Sequence, residues 1–214
     1  MTSEEKKIFD GVLFCPGDPE LVALKLKSHN LSQEYSNTRE DETERRAQLL
    51  KEIVGKLGEN VRVQGPVFFH YGCHTSIGSN CFFNYNLTIQ DDAPVTIGEG
   101  CAFGPNFTVV TPVHPMISRE RHGIKTPDGS VKGLCYGRPV TIGKGCWFGA
   151  NVVVCPGVTI GDDCVIGAGS VITHDIPSGT FAAGVPCRVI REITEADSMK
   201  YKPEILADNE LLED

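Results

Sequence analysis

The 214-residue sequence contains no run of eighteen apolar residues, and its opening segment MTSEEKKIFDG lacks the hydrophobic core of a signal peptide. The first absence argues against a transmembrane helix, and the second argues against a secretory leader. Lys and Arg are outnumbered, 20 against 28 Asp and Glu, which gives a net charge of -8. Nucleic acids and anionic membranes are bound by clustered basic residues. We therefore expect neither as a partner, and we expect a soluble cytoplasmic protein.

A strict six-residue repeat is what the sequence does contain. Gly follows four of its apolar residues, at positions 143, 149, 161 and 167. An α-helix repeats its buried face every 3.6 residues and a strand every second residue, so a period of six predicts short strands joined by tight corners. Such strands stack into a parallel β-helix, with each residue above the one eighteen positions away. The repeat residues are Ile142, Phe148, Val154, Ile160, Ile166 and Ile172.

A second run of hexads precedes the first and is interrupted once. It passes through Ile77, Phe83 and Ile89, and then steps by eight positions to Ile97 and on to Phe103 and Val109. The two extra residues fall within positions 91–94, DDAP, which predicts a corner that bulges outward with two carboxylates. The period disappears between Val109 and Ile142, where Gly, Pro and charged residues predict a lid, a binding loop or a disordered segment.

Three segments follow from these patterns. Residues 1–60 are predicted to form a helical segment that covers one open end of the β-helix. Within it, we predict a helix from Thr38 to Leu57, N-capped by Thr38 and ended by Gly58, beside a shorter helix around Pro19 to Tyr35. Residues 61–190 are the predicted β-helix, with a long loop at 110–139. Residues 191–214 are predicted to be an extended or frayed tail.

Nine cysteines occur without any C-x-x-C motif or Cys/His spacing typical of metal sites. Four of them lie four residues after a repeat Ile, a position that Val152 and Val158 fill elsewhere. We predict that these four pack as small apolar residues in a reducing compartment. The sequence leaves the roles of the other five open. The four in register are Cys81, Cys101, Cys146 and Cys164.

Several motifs together resemble one enzyme family. The segment GAGSVITHDIPSGTFAAGVPCRVI at 167–190, with the hexads, is similar to the left-handed β-helix acyltransferases. The N-terminal helices, NYNLTIQDD at 84–92, the His-Pro at 114–115 and CWFGANVVV at 146–154 resemble maltose and galactoside acetyltransferases. The resemblance spans about residues 9–192. It implies a left-handed coil, a homotrimer with active sites between subunits, acetyl-CoA as the acyl donor, and no required metal.

Transfer of an acetyl group from a thioester to a hydroxyl needs a base, a stabiliser for the oxyanion and a channel that aligns both substrates. Histidine suits the base role because much of it is neutral at cellular pH. The resemblance implies that His114 is the catalytic base in a direct transfer. The alternative interpretation is a surface loop histidine beside Pro115.

The resemblance also implies which residues contact the acceptor. Three of them have a simpler interpretation: Asn84 as a corner residue in a left-handed conformation, Asp92 as a solvated turn residue, and Trp147 as packing between subunits. The implied acceptor-binding residues are Asn84, Asp92, Asp18, His70 and Trp147.

For the donor, the resemblance implies that Ala150, Ala168 and Thr173 line the pantetheine arm. Arg188 and Arg191 would meet the phosphates, because guanidinium groups match phosphate geometry. Without the resemblance, both arginines would be ordinary solvated charges.

Three residues depart from the family pattern. Lys27 stands where the family tends to have Arg, His70 stands where it has a small or acidic residue, and His174 stands where it often has Lys. The loop after His114 is also longer. The donor half of the site thus matches the family and the acceptor half departs from it, which argues against maltose or a galactoside as the acceptor.

Two other classes of function are alternatives. A non-catalytic trimeric β-helix scaffold would need neither His114 nor the C-terminal arginines. A β-helix carbonic anhydrase would need three histidines on one zinc ion, and only His70 and His74 are close in sequence.

Overall fold

The computed structural model describes residues 3–211 and has three N-terminal helices followed by a parallel β-helix. The helices are α1 Ser3–Asp10, α2 Pro19–Ser36, α3 Thr43–Ile53, α4 Ser118–His122 and α5 Pro203–Leu206. The strands are β1 Lys56–Leu57, β2 Arg62–Val63, β3 Val67–Phe69, β4 Thr75–Ile77, β5 Phe82–Phe83, β6 Leu87–Gln90, β7 Val95–Ile97, β8 Ala102–Phe103, β9 Thr108–Val110, β10 Pro112–Val113, β11 Ile124–Lys125, β12 Val131–Lys132, β13 Tyr136–Gly137, β14 Val140–Ile142, β15 Trp147–Phe148, β16 Val153–Val154, β17 Thr159–Ile160, β18 Val165–Ile166, β19 Val171–Ile172, β20 Thr180–Gly184 and β21 Cys187–Glu192.

The coils form three flat faces. The first face has the strand order β1-β4-β7-β14-β17, the second β2-β5-β8-β15-β18-β20-β21, and the third β3-β6-β9-β16-β19. The chain passes from the first face to the second, to the third and back to the first, so every coil has three corners. The predicted register is confirmed, because residues eighteen positions apart are paired. These pairs are Ile142 with Ile160, Phe148 with Ile166, and Val154 with Ile172.

Aromatic rings and thiols fill the axis of the β-helix. The Phe103 ring stacks between Phe83 and Phe148, with centroid distances of 4.4 and 4.8 Å. The four cysteines in register are buried, as predicted. Each thiol contacts a carbonyl oxygen of the next coil, as Cys146 Sγ does with Gly161 O at 3.2 Å. Cysteine therefore fills an axis position that valine fills elsewhere, and it also makes a weak hydrogen bond.

The long loop, residues 111–139, has secondary structure of its own and is called the arm from here on. Strands β10 and β13 pair in antiparallel fashion at its base. Beyond them lie α4 and the hairpin of β11 and β12. The coil continues across the arm without a shift, since Ile97 pairs with Ile142. The arm is an excursion from one corner, and of the alternatives predicted for it, disorder is wrong.

The N-terminal prediction needs several corrections. Helix α3 begins at Thr43, not Thr38, because Thr38 Oγ1 donates to the Tyr35 carbonyl at the end of α2. It ends at Ile53, and the predicted last residue, Leu57, lies in strand β1. Helix α2 is the longer of the two, with 18 residues against 11. Helix α1 was not predicted. Strand β1 already belongs to the first face, so the β-helix begins before the predicted boundary at residue 61.

The C-terminal segment also differs from the prediction. Strand β21 runs to Glu192 and pairs antiparallel with β20, which covers the last coil. Two 3-10 turns, Glu195–Asp197 and Met199–Tyr201, and the short α5 follow. The segment after Ile190 thus begins as extended strand to Glu192 and continues with short helical turns, which were not predicted. Within residues 3–211, no helix is long and apolar enough to cross a membrane.

Candidate active site

The corner at Asp91 and Asp92, between β6 and β7, is buried. Asp91 Oδ1 accepts hydrogen bonds from the backbone N–H groups of Tyr71 and Gly72, at 2.7 and 3.1 Å, and Oδ2 accepts one from Thr75 Oγ1 at 2.9 Å. A buried carboxylate needs such partners. Asp91 therefore holds two coils together, and the predicted outward bulge with exposed carboxylates is wrong.

Two segments distant in sequence cover this corner. Phe14 and Cys135 exchange backbone hydrogen bonds of 2.8 and 3.1 Å, which joins the N-terminal segment to the arm. Their side chains pack in a small apolar cluster with Ile8, Leu21 and Tyr71. These two segments shield the corner from solvent. The two-residue insertion, which the sequence suggests is a surface bulge, is therefore buried.

Asp92 is only 3% exposed, but its hydrogen bonding differs from that of Asp91. Its Oδ1 lies 3.7 Å from His70 Nε2, beyond hydrogen-bonding distance. Its Oδ2 and the Tyr71 hydroxyl are both buried without a hydrogen-bond partner among residues 3–211. Leaving such atoms unpaired costs about 1–3 kcal/mol each. Each of these two atoms therefore keeps an unused capacity for a hydrogen bond.

Histidine and lysine side chains from α2 complete this corner. His29 Nε2 lies 3.4 Å from His70 Nδ1. Lys25 is one helical turn before His29, on the same side of α2, and its Nζ donates to the Pro16 carbonyl at 2.7 Å. We did not predict a role for Lys25, His29 or Tyr71. The i, i+4 spacing of Lys25 and His29 was visible in the sequence, but their approach to His70 comes from the packing of α2 on β3.

Burial shifts the pKa values of the two facing groups in opposite directions. It lowers the pKa of His70 to about 4, and the nearby Lys25 and His29 add to this effect. It raises the pKa of Asp92 to about 6, and the like charge of Asp91 adds to this. Near neutral pH, His70 is therefore neutral and Asp92 ionised, so the two do not form an ion pair. Burial also raises the pKa of Tyr71, which keeps its hydroxyl a hydrogen-bond donor.

His114 lies at the same kind of corner as Asp92, where the chain leaves the third face. It follows β10 and is exposed in the single chain. Strand β10 pairs with β13, and a Cβ added to Gly137 of β13 would come within 2.2 Å of the Asp92 carbonyl oxygen. The base of the arm thus connects His114 to the Asp92 corner through closely packed backbone.

Other predicted residues lie at a different corner, between the second and third faces. Asn84 follows β5, Ala150 follows β15 and Ala168 follows β18. Asn84 Oδ1 accepts from Tyr85 N at 2.8 Å, and Asn86, not Asn84, has a positive φ. The alternative interpretation of Asn84 as a left-handed corner residue is therefore wrong. Trp147, on the second face, is 58% exposed.

The remaining predicted residues are scattered. Thr173, exposed after β19, contacts His174 Nδ1 through its hydroxyl at 2.9 Å. Arg188 is exposed. Arg191 donates to both carboxylate oxygens of Asp197, at 2.7 and 2.8 Å. Asp18 Oδ1 caps α2 through Glu20 N at 3.0 Å, so one of its oxygens already has a structural role.

The predicted site residues therefore form two groups within one chain. His70, Asp92 and His114 lie at corners between the third and first faces, and Asn84, Ala150 and Ala168 at corners between the second and third faces. One side of a coil separates the groups, which at about 3.3 Å per residue is roughly 15–20 Å. His114 and Asn84 of the same chain are too far apart to act on one reacting atom.

A three-histidine zinc set is not formed within the described part of a single chain. Among these residues, the one group of three metal-ligand side chains consists of Glu5, Cys73 and His74. It contains a single histidine and does not include His114.

Comparison with known proteins agrees with this architecture. The "Maltose acetyltransferase hexapeptide capping motif" matches residues 7–58, and the "Hexapeptide repeat of succinyl-transferase" matches residues 139–174. The galactoside O-acetyltransferase of Escherichia coli strain K12 is 44% identical, over 92% of either chain.

Solved structures give the same result. A galactoside acetyltransferase in complex with coenzyme A is 39% identical over the whole of both chains, with a TM-score of 0.83. A maltose O-acetyltransferase from Clostridium difficile 630 is 37% identical over 91% of this chain and 99% of its own, with a TM-score of 0.83. This chain is therefore an acetyltransferase that belongs to the hexapeptide-repeat family of maltose and galactoside O-acetyltransferases.

Proposed function

We propose that this enzyme transfers the acetyl group of acetyl-CoA to a hydroxyl group of a small polar acceptor, in active sites between the subunits of a homotrimer. The division of the candidate residues between two corners carries this proposal. A neighbouring copy that brings its Asn84 and Trp147 to the His114 corner would complete a site that one chain leaves in two parts. The galactoside acetyltransferase complex with coenzyme A supports the choice of donor.

In the proposed mechanism, His114 is the general base. Its neutral imidazole removes the proton of the acceptor hydroxyl while the oxygen forms a bond to the thioester carbonyl carbon. The tetrahedral intermediate then collapses, the C–S bond breaks, and the imidazolium returns the proton to the leaving thiolate. The acetyl group passes directly to the acceptor, without an acetyl-enzyme intermediate. Asn84 of the neighbouring copy would donate its amide hydrogen to the acceptor or the developing oxyanion.

Donor binding would use small side chains and one arginine. Ala150 and Ala168 lie on successive coils, joined by the hydrogen bond from Gly169 N to Ala150 O at 2.8 Å. Small side chains at this edge leave room for an extended pantetheine chain. Arg188 has an exposed guanidinium for the phosphates. Arg191, held by Asp197, would contribute less unless that ion pair opens.

The side chains proposed to contact the acceptor favour an uncharged compound with several hydroxyl groups. Asp92 Oδ2 and the Tyr71 hydroxyl are buried without partners in the described part of the chain, and the neutral His70 and His29 can each donate and accept. These groups suit hydroxyls, whereas a second anion beside Asp91 and Asp92 would be repelled. His70 also occupies space at this corner, which favours a smaller acceptor than a disaccharide.

The decisive assay measures thiol release from acetyl-CoA with a panel of sugars and other polyols. His114→Ala should lower kcat at least about a hundredfold, and His122→Ala, an exposed histidine of the same arm, should leave it unchanged. Equal rates for the two variants would contradict the base assignment. No thiol release with any acceptor would favour a scaffold instead.

The assembly is tested separately by light scattering. A homotrimer should have three times the mass of the 23.2 kDa chain. Mixing an inactive His114→Ala chain with an inactive Asn84→Ala chain should restore part of the activity, because some mixed interfaces would contain both intact residues. A monomer, or no restored activity in mixed particles, would contradict shared sites.

A further inference from the structure

A second polar cluster lies beside the Asp91 corner and takes no part in the proposed transfer. His74 comes directly before β4 and is buried, and its Nε2 lies 3.4 Å from Oε1 of Glu5 in α1. Cys73 is the neighbouring residue and is exposed. One ligand atom from each of these residues lies within 4.8 Å of the others. A thiol, an imidazole and a carboxylate therefore converge between α1 and the β-helix.

The His74 ring is held in the orientation of a metal ligand. Its Nδ1 lies 2.9 Å from the backbone carbonyl oxygen of Asp91, which can only accept a hydrogen bond. The hydrogen is therefore on Nδ1, and Nε2 faces Glu5 and Cys73, where a metal ion would replace the proton that Nε2 shares with Glu5. Metal-binding histidines are commonly fixed in this way by a carbonyl or carboxylate on the other ring nitrogen. Asp91 is itself fixed by three hydrogen bonds, so this orientation is rigid.

The distances also suit a small tetrahedral ion. Zinc binds nitrogen and oxygen at about 2.0–2.2 Å, which in a tetrahedron separates the two ligand atoms by about 3.4 Å. The observed separation of His74 Nε2 and Glu5 Oε1 is 3.4 Å. A thiolate bound at about 2.3 Å would lie about 3.6 Å from the nitrogen, and the three ligand atoms already lie within 4.8 Å of one another. The Phe9 and Tyr71 rings, with centroids 5.2 and 4.8 Å from His74, form an apolar wall.

We propose that Glu5, Cys73 and His74 bind one Zn²⁺ ion per chain, with a water molecule as the fourth ligand. The mixed sulfur, nitrogen and oxygen donor set favours zinc over magnesium or calcium, which prefer oxygen ligands. Such an ion joins α1 to the coil below it, and its role is structural. The prediction that acetyl transfer requires no metal concerns a different site and is unaffected.

The test uses the full chain after treatment with a chelator. Titration with ZnCl₂ against a chromophoric zinc indicator should give one tight site per chain. Cys73→Ser and Glu5→Gln should each raise the zinc Kd at least about tenfold, since loss of a ligand costs no less than loss of a residue that supports one. The control is Cys155→Ser, a partly exposed thiol outside the cluster, and it should bind zinc like the unchanged chain.

Two further readouts separate this site from adventitious binding. Co²⁺ should give a thiolate charge-transfer absorption band that Cys73→Ser removes and Cys155→Ser retains. Zinc in excess should raise the Tm of the unchanged chain by mass action, and less so that of Glu5→Gln. No zinc binding, or binding equal in Cys73→Ser and Cys155→Ser, would overturn the proposal and leave the cluster as a hydrogen-bonded ion pair. None of these measurements involves acetyl transfer, so the outcome is independent of the proposed function.

Discussion

The coils from Val140 to Ile172 and the corner at Asp91 and Asp92 are built from the same repeat but have opposite properties. In the coils, the backbone N–H groups of the strands donate to carbonyl oxygens of the neighbouring coil, and apolar side chains fill the axis. At the corner, two extra residues bury a pair of carboxylates, and one of them has an oxygen without a hydrogen-bond partner among residues 3–211. Regular repetition gives stability without selectivity, whereas the interruption of the repeat creates a polar interior able to select a ligand.

The sharpest test of the regular region is its aromatic stack. Phe103→Ala should lower the free energy of unfolding by about 3–5 kcal/mol, because it leaves a cavity between Phe83 and Phe148. Phe82→Ala removes a half-buried ring that points outward and should cost much less. Denaturant unfolding at equal protein concentration compares the two. Similar losses would mean that the stack is not the main support of the core.

The two neighbouring aspartates should respond differently to the same change. Asp91→Asn replaces an oxygen that accepts hydrogen bonds with a donor, and should cost about 2–3 kcal/mol of stability. Asp92→Asn should leave the free energy of unfolding unchanged or raise it, because it removes a carboxylate whose charge is disfavoured by burial, but it should raise the acceptor KM about tenfold or more. Unfolding curves and acceptor kinetics for both variants provide the measurement. A larger stability loss for Asp92→Asn would reverse our assignment.

Stability should depend on pH through two opposing groups at the corner. The pKa of Asp92 is raised to about 6, so the folded chain binds its proton more tightly than the unfolded chain does. The contribution of Asp92 to the free energy of unfolding therefore falls as pH rises from about 4 to 6. The pKa of His70 is lowered to about 4, so the unfolded chain binds its proton more tightly than the folded chain does. The contribution of His70 to the free energy of unfolding therefore rises from about pH 4 to 6.5.

Single variants should expose each contribution. Relative to the unchanged chain, the stability of Asp92→Asn should increase more steeply with pH in this window, and that of His70→Gln less steeply. For each variant, the slope of unfolding free energy against pH should differ from that of the unchanged chain by no more than about 1.4 kcal/mol per pH unit, the limit for one proton. Unfolding measured from pH 4 to 7 tests the signs, and equal slopes in both variants would contradict them.

The smallest expected difference lies between two cysteines. Cys146→Ser places a hydroxyl in a buried slot of the axis and should cost about 1 kcal/mol. Cys155→Ser changes a partly exposed, off-register thiol and should stay within about 0.5 kcal/mol of the unchanged chain. Thermal unfolding under reducing conditions distinguishes them. Equal effects would show that register does not decide the role of a cysteine here.

The period of six was enough to predict the coils and their register, because each repeat contacts only the repeat above and below it. The resemblance to the family added the expected hand and the roles of the site residues. Counting the period also assigns Asn84 and His114 to different corners. The paired histidines could not be predicted in this way, since His29 reaches His70 only through the packing of α2 on β3.

The burial of Asp92 escaped prediction for a related reason. An insertion of two residues predicts a longer corner, but it does not predict which segments pack over that corner. The cover consists of Phe14 and Cys135, which are far apart in sequence and meet only in the folded chain. The start of α3 was misplaced because Thr38 is a plausible cap whose hydroxyl finds a carbonyl of the previous helix instead.

The unbroken pairing of Ile97 with Ile142 across the arm has a practical consequence. Because the stack closes beneath the arm without a shift, mutations that lengthen, shorten or exchange this segment need not disturb the framework. Evolution can therefore vary the segment beside the proposed His114 site while the coils that carry the proposed donor side stay the same. For protein engineering, the positions beyond β10 and β13 are the natural place to graft loops that accept new substrates.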